Sequence, residues 1–343
     1  MIAIHDSPHG FHPRWIAYCK EQGIAYRTVN CYSNDLIKQL DGCKALMWHH
    51  GQQNPKDLII AKQILFALEQ AGMKVFPDFK SGWHFDDKLG QKYLLEALNA
   101  PLVPTHVFFD AKSANRWIDE AHFPKVMKLR GGAGSSNVFL IPNQTRARKA
   151  VQKAFGKGFS NYDSSQSLKD RWHSFRSGQK GIVEPVKGLL RYAKAPEYAK
   201  VLGNEVNYIY FQDFIPGLEF DYRTKVVGDK TWGYKRFVRK DDFRASGSGS
   251  ASYEYGERAV PRDILEYSLY LAQKLEMPSA AFDFIPDGKD SFLLVEISAL
   301  FGQDDLEFVG YFDSEMKWHA GPFDPQGWMV DSMIQRIASG YPL

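Results

Sequence analysis

Short apolar runs alternate with amphipathic stretches over the first 80 or so residues: runs at 2–4, 25–29, 45–48 and 74–76, with helical patterns at 13–22, near Leu36, and at 57–71. That alternation predicts β-α-β-α-β-α-β, a small parallel-sheet lobe. A further amphipathic helix is expected over 86–98, with aspartates in its first turn and leucines at 89, 94, 95 and 98, before Pro101 and Pro104 end it. Runs at 107–109, 126–129 and 138–141, with helical patterns at 113–121 and 145–155, predict a second, α+β lobe. Between 156 and 204 the apolar periodicity weakens. It returns as strand runs at 208–215, 219–227, 230–238, 280–285 and 292–298, with a helix over 261–275.

The strands 126–129 and 138–141 are joined through Gly131, Gly132, Gly134, Ser135 and Ser136, with Lys128 just before the glycines. A backbone without side chains can approach a ligand closely, and its N–H groups, the two serine hydroxyls and the lysine charge together suit phosphate. The lysine precedes the glycines, so the stretch is neither G-x-x-x-x-G-K-[ST] nor a helix-opening G-x-G-x-x-G. The same composition also makes an ordinary Gly/Ser turn. Lys128 is expected to be an exposed lysine at a strand end. Lys88, in a first helical turn, has the position of an ordinary solvated lysine.

The later strands carry ionised residues where apolar ones are usual. Asp221, Arg223, Lys235 and Arg236 interrupt a hairpin that turns at Gly228-Asp229, and ionised groups in a sheet point to a wet, liganded face. Asp283 and Glu296 each centre an apolar strand. Burying them is costly unless a cation pairs with them, and Mg2+ bridging phosphates is an economical partner.

Composition narrows the picture without naming a function. The 343 residues are 44% hydrophobic and 24% charged, which suits a globular protein of two or three lobes. A formal net charge of +3 does not argue for nucleic acid. No apolar run is long enough to span a membrane and no signal core is seen, so a cytoplasmic protein is expected. Three cysteines, Cys19, Cys31 and Cys43, lack disulfide or zinc spacing and read as reduced thiols. His5, His9, His12, His49 and His50 fall in loops at carboxyl ends of the first lobe's strands, where such sheets bind ligands, but their spacing is not that of a metal site. The one strong charge excess runs from 169 to 200, eight Lys/Arg against three acids, and suits either a solvated face or an anion-binding insertion.

Taken in order, the parts resemble one superfamily: Asp87-Lys88 opening a helix, a lysine and Gly-rich hairpin, Gln212-Asp213-Phe214-Ile215, Asp221-Tyr222-Arg223 with its Val226-Val227-Gly228-Asp229 turn, Lys235-Arg236, Phe243-Arg244-Ala245-Ser246, Phe282-Asp283-Phe284-Ile285, and Val295-Glu296-Ile297-Ser298. Over about residues 1–312 the chain is similar to ATP-grasp proteins, nearest to the RimK and glutathione-synthase-like carboxylate–amine ligases.

The resemblance implies an α/β ATP-grasp fold: an N-terminal parallel-sheet lobe (1–85), a small lobe with the Gly-rich hairpin (86–155), a basic insertion (156–204), and a C-terminal lobe with the metal strands (205–343). It implies ATP and Mg2+, or Mn2+, as cofactors. Lys88 and Lys128 would hold phosphates, and Gly131, Gly132, Gly134, Ser135 and Ser136 would close over them. Gln212, Asp213, Phe214 and Ile215 would line the adenine, and Asp221, or Glu219 before it, would accept from the ribose. Asp283 and Glu296 would carry magnesium, and Arg223, Arg236 and Arg244 would face the γ-phosphate and an acyl phosphate. Ser298 stands where the family usually has the asparagine of E-x-N, and Ser246 where it has that of F-R-x-N, so a shorter hydroxyl replaces an amide oxygen at the second metal contact and at one ATP or substrate contact.

The implied activity is an ADP-forming ligase joining a small-molecule carboxylate to an amine, with an anionic acceptor at the basic insertion and no membrane or nucleic-acid partner. A small-molecule kinase on the same fold and a nucleotide-binding regulator without turnover are the alternatives.

Overall fold

The computed structural model describes residues 1–132, 137–162, 196–238, 252–288, 291–303 and 305–339. Its first lobe is a parallel sheet of β1 (Ile2–His5), β2 (Tyr26–Val29), β3 (Ala45–Met47) and β4 (Lys74–Phe76), in the order β2-β1-β3-β4. Parallel strands need long crossovers, here supplied chiefly by the helices His12–Glu21 and Pro55–Gln70. The second of these starts at Asn54, whose side chain accepts from Lys56 N, with Pro55 at the first helical position.

The helix Lys88–Ala97 follows; its Leu95 packs with Phe282, Phe284 and Ile297, and Gln91 Nε2 donates to the Ile297 carbonyl at 2.8 Å. Asp87 caps the helix by accepting from Leu89 N and Gly90 N, a contact that stabilises such a helix by about 0.5–2 kcal/mol. The strands β5 (Thr105–Phe108), β6 (Lys125–Lys128) and β7 (Val138–Ile141) follow, then the short pair β8 (Phe159–Ser160) and β9 (Asn204–Glu205). The second lobe's sheet has the order β5-β10-β6-β7, so β10 (Ile209–Asp213) returns from beyond residue 205 to lie between β5 and β6.

The third sheet is antiparallel: β15 (Phe292–Ser298), β14 (Ser279–Pro286), β11 (Phe220–Val227), β12 (Lys230–Phe237), β16 (Gly310–Phe312) and β17 (Trp318–Ala320), with β13 (Tyr253–Tyr255) also paired to β12. Strand alternation divides its faces. Tyr222, Val226, Phe282, Phe284 and Ile297 pack with Ile264, Leu265 and Leu269 of the helix Arg262–Lys274. Asp221, Arg223, Lys225, Arg236, Asp283 and Glu296 are left on the other face. A second core joins this sheet to the first lobe: Ile2, Ile4, Met47 and Phe76 share it with Val227, Trp232 and Phe301, and with Met329, Val330 and Met333 of the helix Pro325–Ala338. The first lobe and the third sheet are therefore held as one body by apolar packing.

Candidate active site

The charged face of the third sheet is wired in register. Arg223 pairs with Asp283 across β11 and β14, and Asp221 with Arg236 across β11 and β12. The Arg223 Nε and Nη2 atoms donate to both Asp283 oxygens at 2.7 Å, and Arg236 donates Nε to Asp221 Oδ1 at 2.7 Å and Nη2 to Oδ2 at 2.5 Å. Arg236 Nη2 also lies 3.0 Å from Asp283 Oδ1, so the four groups form one alternating chain. Burial alone would raise the Asp283 carboxyl, yet Arg223 and Arg236 hold it well below the usual carboxylate range. Burial pushes the Asp221 carboxyl the other way, up to about 6, against the pull of Arg236.

The second lobe presents a face to this array. Alternation turns Met127, Ile209 and Phe211 into the lobe's own core, leaving Lys128, Tyr210 and Gln212 on the opposite side. Lys88 and Lys128 are both buried, at 6% and 8% exposure, which corrects the expectation of a solvated Lys88 and an exposed Lys128. The reason lies far off in sequence. Lys88 N donates to the Arg130 carbonyl, Lys88 Nζ donates to the Gly132 carbonyl at 2.9 Å, and Gly132 N donates to Asp86 Oδ1 at 2.8 Å, so the start of the Gly-rich stretch folds onto residues 86–88. A Cβ at Gly131 would stand 3.1 Å from Asp86 Oδ2, which is the close approach glycine permits.

The two lysines differ in what surrounds them. Lys88 Nζ is 3.4 Å from Glu296 Oε1; although burial opposes its charge, Glu296 and Asp86 hold its pKa above the usual lysine value. The Lys128 side chain has no hydrogen bond or ion pair among the described residues, and burial pushes its ammonium down to about 8, although Glu296 and Asp283 lie within electrostatic reach. A buried ammonium without a direct counter-ion is a place for an anion.

The last residues of β10 and those just after it begin the route between the sheets. Gln212 donates to Thr105 Oγ1 at 3.1 Å, and Asp213 accepts from Lys125 Nζ at 2.6 Å. Phe214 and Ile215 are half-buried beyond the strand end. Of the two acids expected at the ribose, Asp221 has both oxygens held by Arg236, whereas Glu219 is exposed.

Asp283 and Glu296 are opposed in register on adjacent strands, and the Glu296 side chain keeps 27% exposure. Two neighbouring carboxylates fit Mg2+, which takes one or two of them and completes its shell with phosphate oxygens and water. Glu296 is the carboxylate with open oxygens, since Arg223 covers both of those on Asp283. The Ser298 hydroxyl, two residues along the same face, donates to the Leu300 carbonyl at 3.0 Å. Gly134, Ser135, Ser136, Arg244, Ser246 and the members of the basic cluster from Lys169 to Lys194 lie outside the described residues, and its last member, Lys200, is exposed on the helix Glu197–Leu202.

Three features were missed in sequence. Lys225 follows Asp221 and Arg223 at strand spacing, and that alternation could have revealed it. It is fully buried and donates to both Glu307 oxygens at 2.6 Å and to the Gly302 carbonyl at 2.8 Å; Glu307 itself lies in a short helical turn with no local signal. Asp86 serves the Gly-rich stretch instead of the helix turn it precedes. The histidines largely tie the ends of the first lobe's strands to one another: His12 bonds the His9 carbonyl and accepts from His49 N, His49 accepts from Phe11 N, and His5 from Cys31 N. Cys19, Cys31 and Cys43 are buried free thiols.

No protein-family model matches the sequence, and no curated protein matches it. Solved structures do. A RimK-domain ATP-grasp protein from Sphaerobacter thermophilus is 13% identical, with a TM-score of 0.56 over 97% of this chain and 100% of its own. D-cycloserine synthetase DcsG is 12% identical, with a TM-score of 0.61 over 98% of this chain and 99% of its own. The ATP-grasp ligase PsnB, bound to a minimal precursor, is 13% identical, with a TM-score of 0.58 over 98% of both chains. The chain has the ATP-grasp fold, similar to that of a RimK-domain protein.

Proposed function

We propose that this protein is an ATP- and Mg2+-dependent ligase that joins a carboxylate to an amine through an acyl phosphate, releasing ADP and phosphate. The observation that carries the reading is Lys128: a buried ammonium without a direct counter-ion, at the root of a Gly-rich hairpin, facing a paired Asp283 and Glu296. The fold neighbours D-cycloserine synthetase and the ligase PsnB add support by their named activities.

In this reading Lys88 and Lys128 hold the ATP phosphates, and the Gly131–Ser136 stretch covers them. The adenine lies along Gln212, Asp213, Phe214 and Ile215, and Glu219, with its open carboxylate, accepts from the ribose in preference to Asp221. Asp283 and Glu296 hold magnesium, which when bound neutralises phosphate charge. Arg223 and Arg236, with Arg244, steady the transferring phosphoryl group. A carboxylate oxygen attacks the γ-phosphorus and ADP leaves; the amine then attacks the acyl carbon, phosphate leaves, and the amine gives up its proton. Such a reaction needs positioning and preorganised charge more than a side-chain nucleophile.

Incubation with ATP, Mg2+ and pools of carboxylates and amino acids, read as inorganic phosphate, tests it. Phosphate release that needs both a carboxylate and an amine is expected. ADP formation without free phosphate, driven by hydroxyl compounds, would instead indicate a kinase, and no turnover under any condition a regulator. Among the described residues no helix is long and apolar enough to cross a membrane.

A further inference from the structure

A cleft of about 210 Å³ lies against the helix Pro55–Gln70 and the first residues of the Gly-rich stretch. Its volume is that of about seven waters at ~30 Å³ each, room for a compound the size of a small amino acid. Asp86 and Gly131 form part of its wall, and the next residue, Gly132, holds Lys88. The cleft therefore shares a wall with the candidate phosphate site without overlapping the charged sheet face.

Its charges do not balance. Asp57, Asp86, Asp87 and Glu205 line it, against the cations Lys62 and Arg130. Lys62 is committed to the Trp83 and Phe85 carbonyls, at 3.1 and 2.9 Å, and Arg130 Nε lies 3.8 Å from Glu205. Asp87 caps its helix. Asp57 is only 7% exposed, yet its oxygens accept from neutral donors alone, the Tyr32 hydroxyl at 2.6 Å and Gly51 N at 2.7 Å. Asp86 lies within electrostatic reach of Lys88 and Lys62, but among the described residues no cationic nitrogen comes within 4.0 Å of it or of Asp57. Beside them His50, 4% exposed, leaves its buried Nε2 without a partner. Buried carboxylates ordinarily hold a cation. The described residues offer no set of three close metal ligands, so an organic ammonium, with three N–H donors, suits the site better than a metal ion.

We propose that this cleft binds the amino group of the second substrate as its ammonium, with Asp57 as the principal counter-ion and Asp86 as the second. The role of acceptor pocket rests on the ligase reading; the preference for an ammonium over an anion does not.

The test is saturation-transfer NMR on the intact protein at neutral pH without ATP, with n-propylammonium and propionate as size-matched probes. Transfer to propylammonium and not to propionate is expected. Affinity should fall roughly tenfold or more in Asp57→Asn, which removes the counter-ion, and in Leu58→Trp, which fills the cleft without altering a charge. Preferential binding of propionate, or propylammonium binding within about twofold of wild type in Leu58→Trp, overturns the proposal; that variant decides the matter if Asp57→Asn does not fold. Because ATP is absent, ammonium binding in a protein that never releases phosphate would sink the ligase reading and leave the cleft's ligand class standing.

Discussion

Lys88 links the lobes through one nitrogen: its Nζ donates to the Gly132 carbonyl at 2.9 Å and lies 3.4 Å from Glu296 Oε1 on the edge strand of the third sheet. The Gly-rich stretch, a capped helix start and a candidate metal ligand thus meet at a single ammonium. Lys128, equally buried nearby, lacks any such partner among the described residues. In the proposed function, that asymmetry makes Lys128 the group that would meet the incoming anion.

Lys128→Met should stabilise the protein without nucleotide, because it removes a buried, unpaired charge. Burial lowers the Lys128 pKa from 10.5 to about 8. The unfolded chain therefore binds more protons than the native one between those values, and the native state's penalty, full below about pH 8, fades as pH rises toward 10.5. Urea denaturation at pH 7.5 and pH 10 should show the variant's advantage shrinking at the higher pH. The same substitution should slow turnover by roughly a hundredfold or more, as does loss of one preorganised charge-stabilising group. Unchanged kinetics would remove Lys128 from the site.

Arg236→Ala and Arg223→Ala should separate in stability. Arg236 is the ion-pair partner of Asp221, which is 1% exposed, whereas Asp283 retains Arg236 when Arg223 is lost. Stranding a buried carboxylate costs about 3–5 kcal/mol, so Arg236→Ala should show a loss of that order in urea melts and Arg223→Ala a smaller one. Equal losses would mean that the four groups do not act as the alternating chain their contacts describe.

Magnesium dependence should follow Glu296 and Ser298. A serine hydroxyl is about one bond shorter than an asparagine amide oxygen, so in the proposed function Ser298 would meet an ion through water, which magnesium tolerates. Ser298→Asn should lower the Mg2+ concentration giving half-maximal activity, and Glu296→Gln should raise it sharply or abolish activity. A magnesium titration of phosphate release that leaves both variants at the wild-type midpoint would place the ion elsewhere.

Much of the fold was legible because alternation and turn residues are local. The β-α order of residues 2–76, the hairpin around Gly131 and the ionised positions of β11, β12, β14 and β15 all follow from short-range pattern. What escaped was non-local. Nothing near Lys88 announces that residue 132 will fold over it, and nothing near Asp57 announces the Tyr32 hydroxyl that helps bury it. The placement of β10 between β5 and β6 depends on a chain return of about a hundred residues, which periodicity cannot register. Strands β16 and β17 and the helix Pro325–Ala338 went unread, although that helix supplies Met329, Val330 and Met333 to the core shared by the first lobe and the third sheet.

The central claim is that ATP activates a carboxylate as an acyl phosphate. Its most direct test is isotope transfer: turnover with ATP, Mg2+, an amine and a carboxylate labelled with heavy oxygen in both positions, followed by mass analysis of the released phosphate. An acyl phosphate requires one carboxylate oxygen to leave with the phosphorus, so phosphate carrying one heavy oxygen is predicted. Unlabelled phosphate from a reaction that consumes ATP would contradict the account, because the phosphoryl group would then have passed to water and never to the carboxylate.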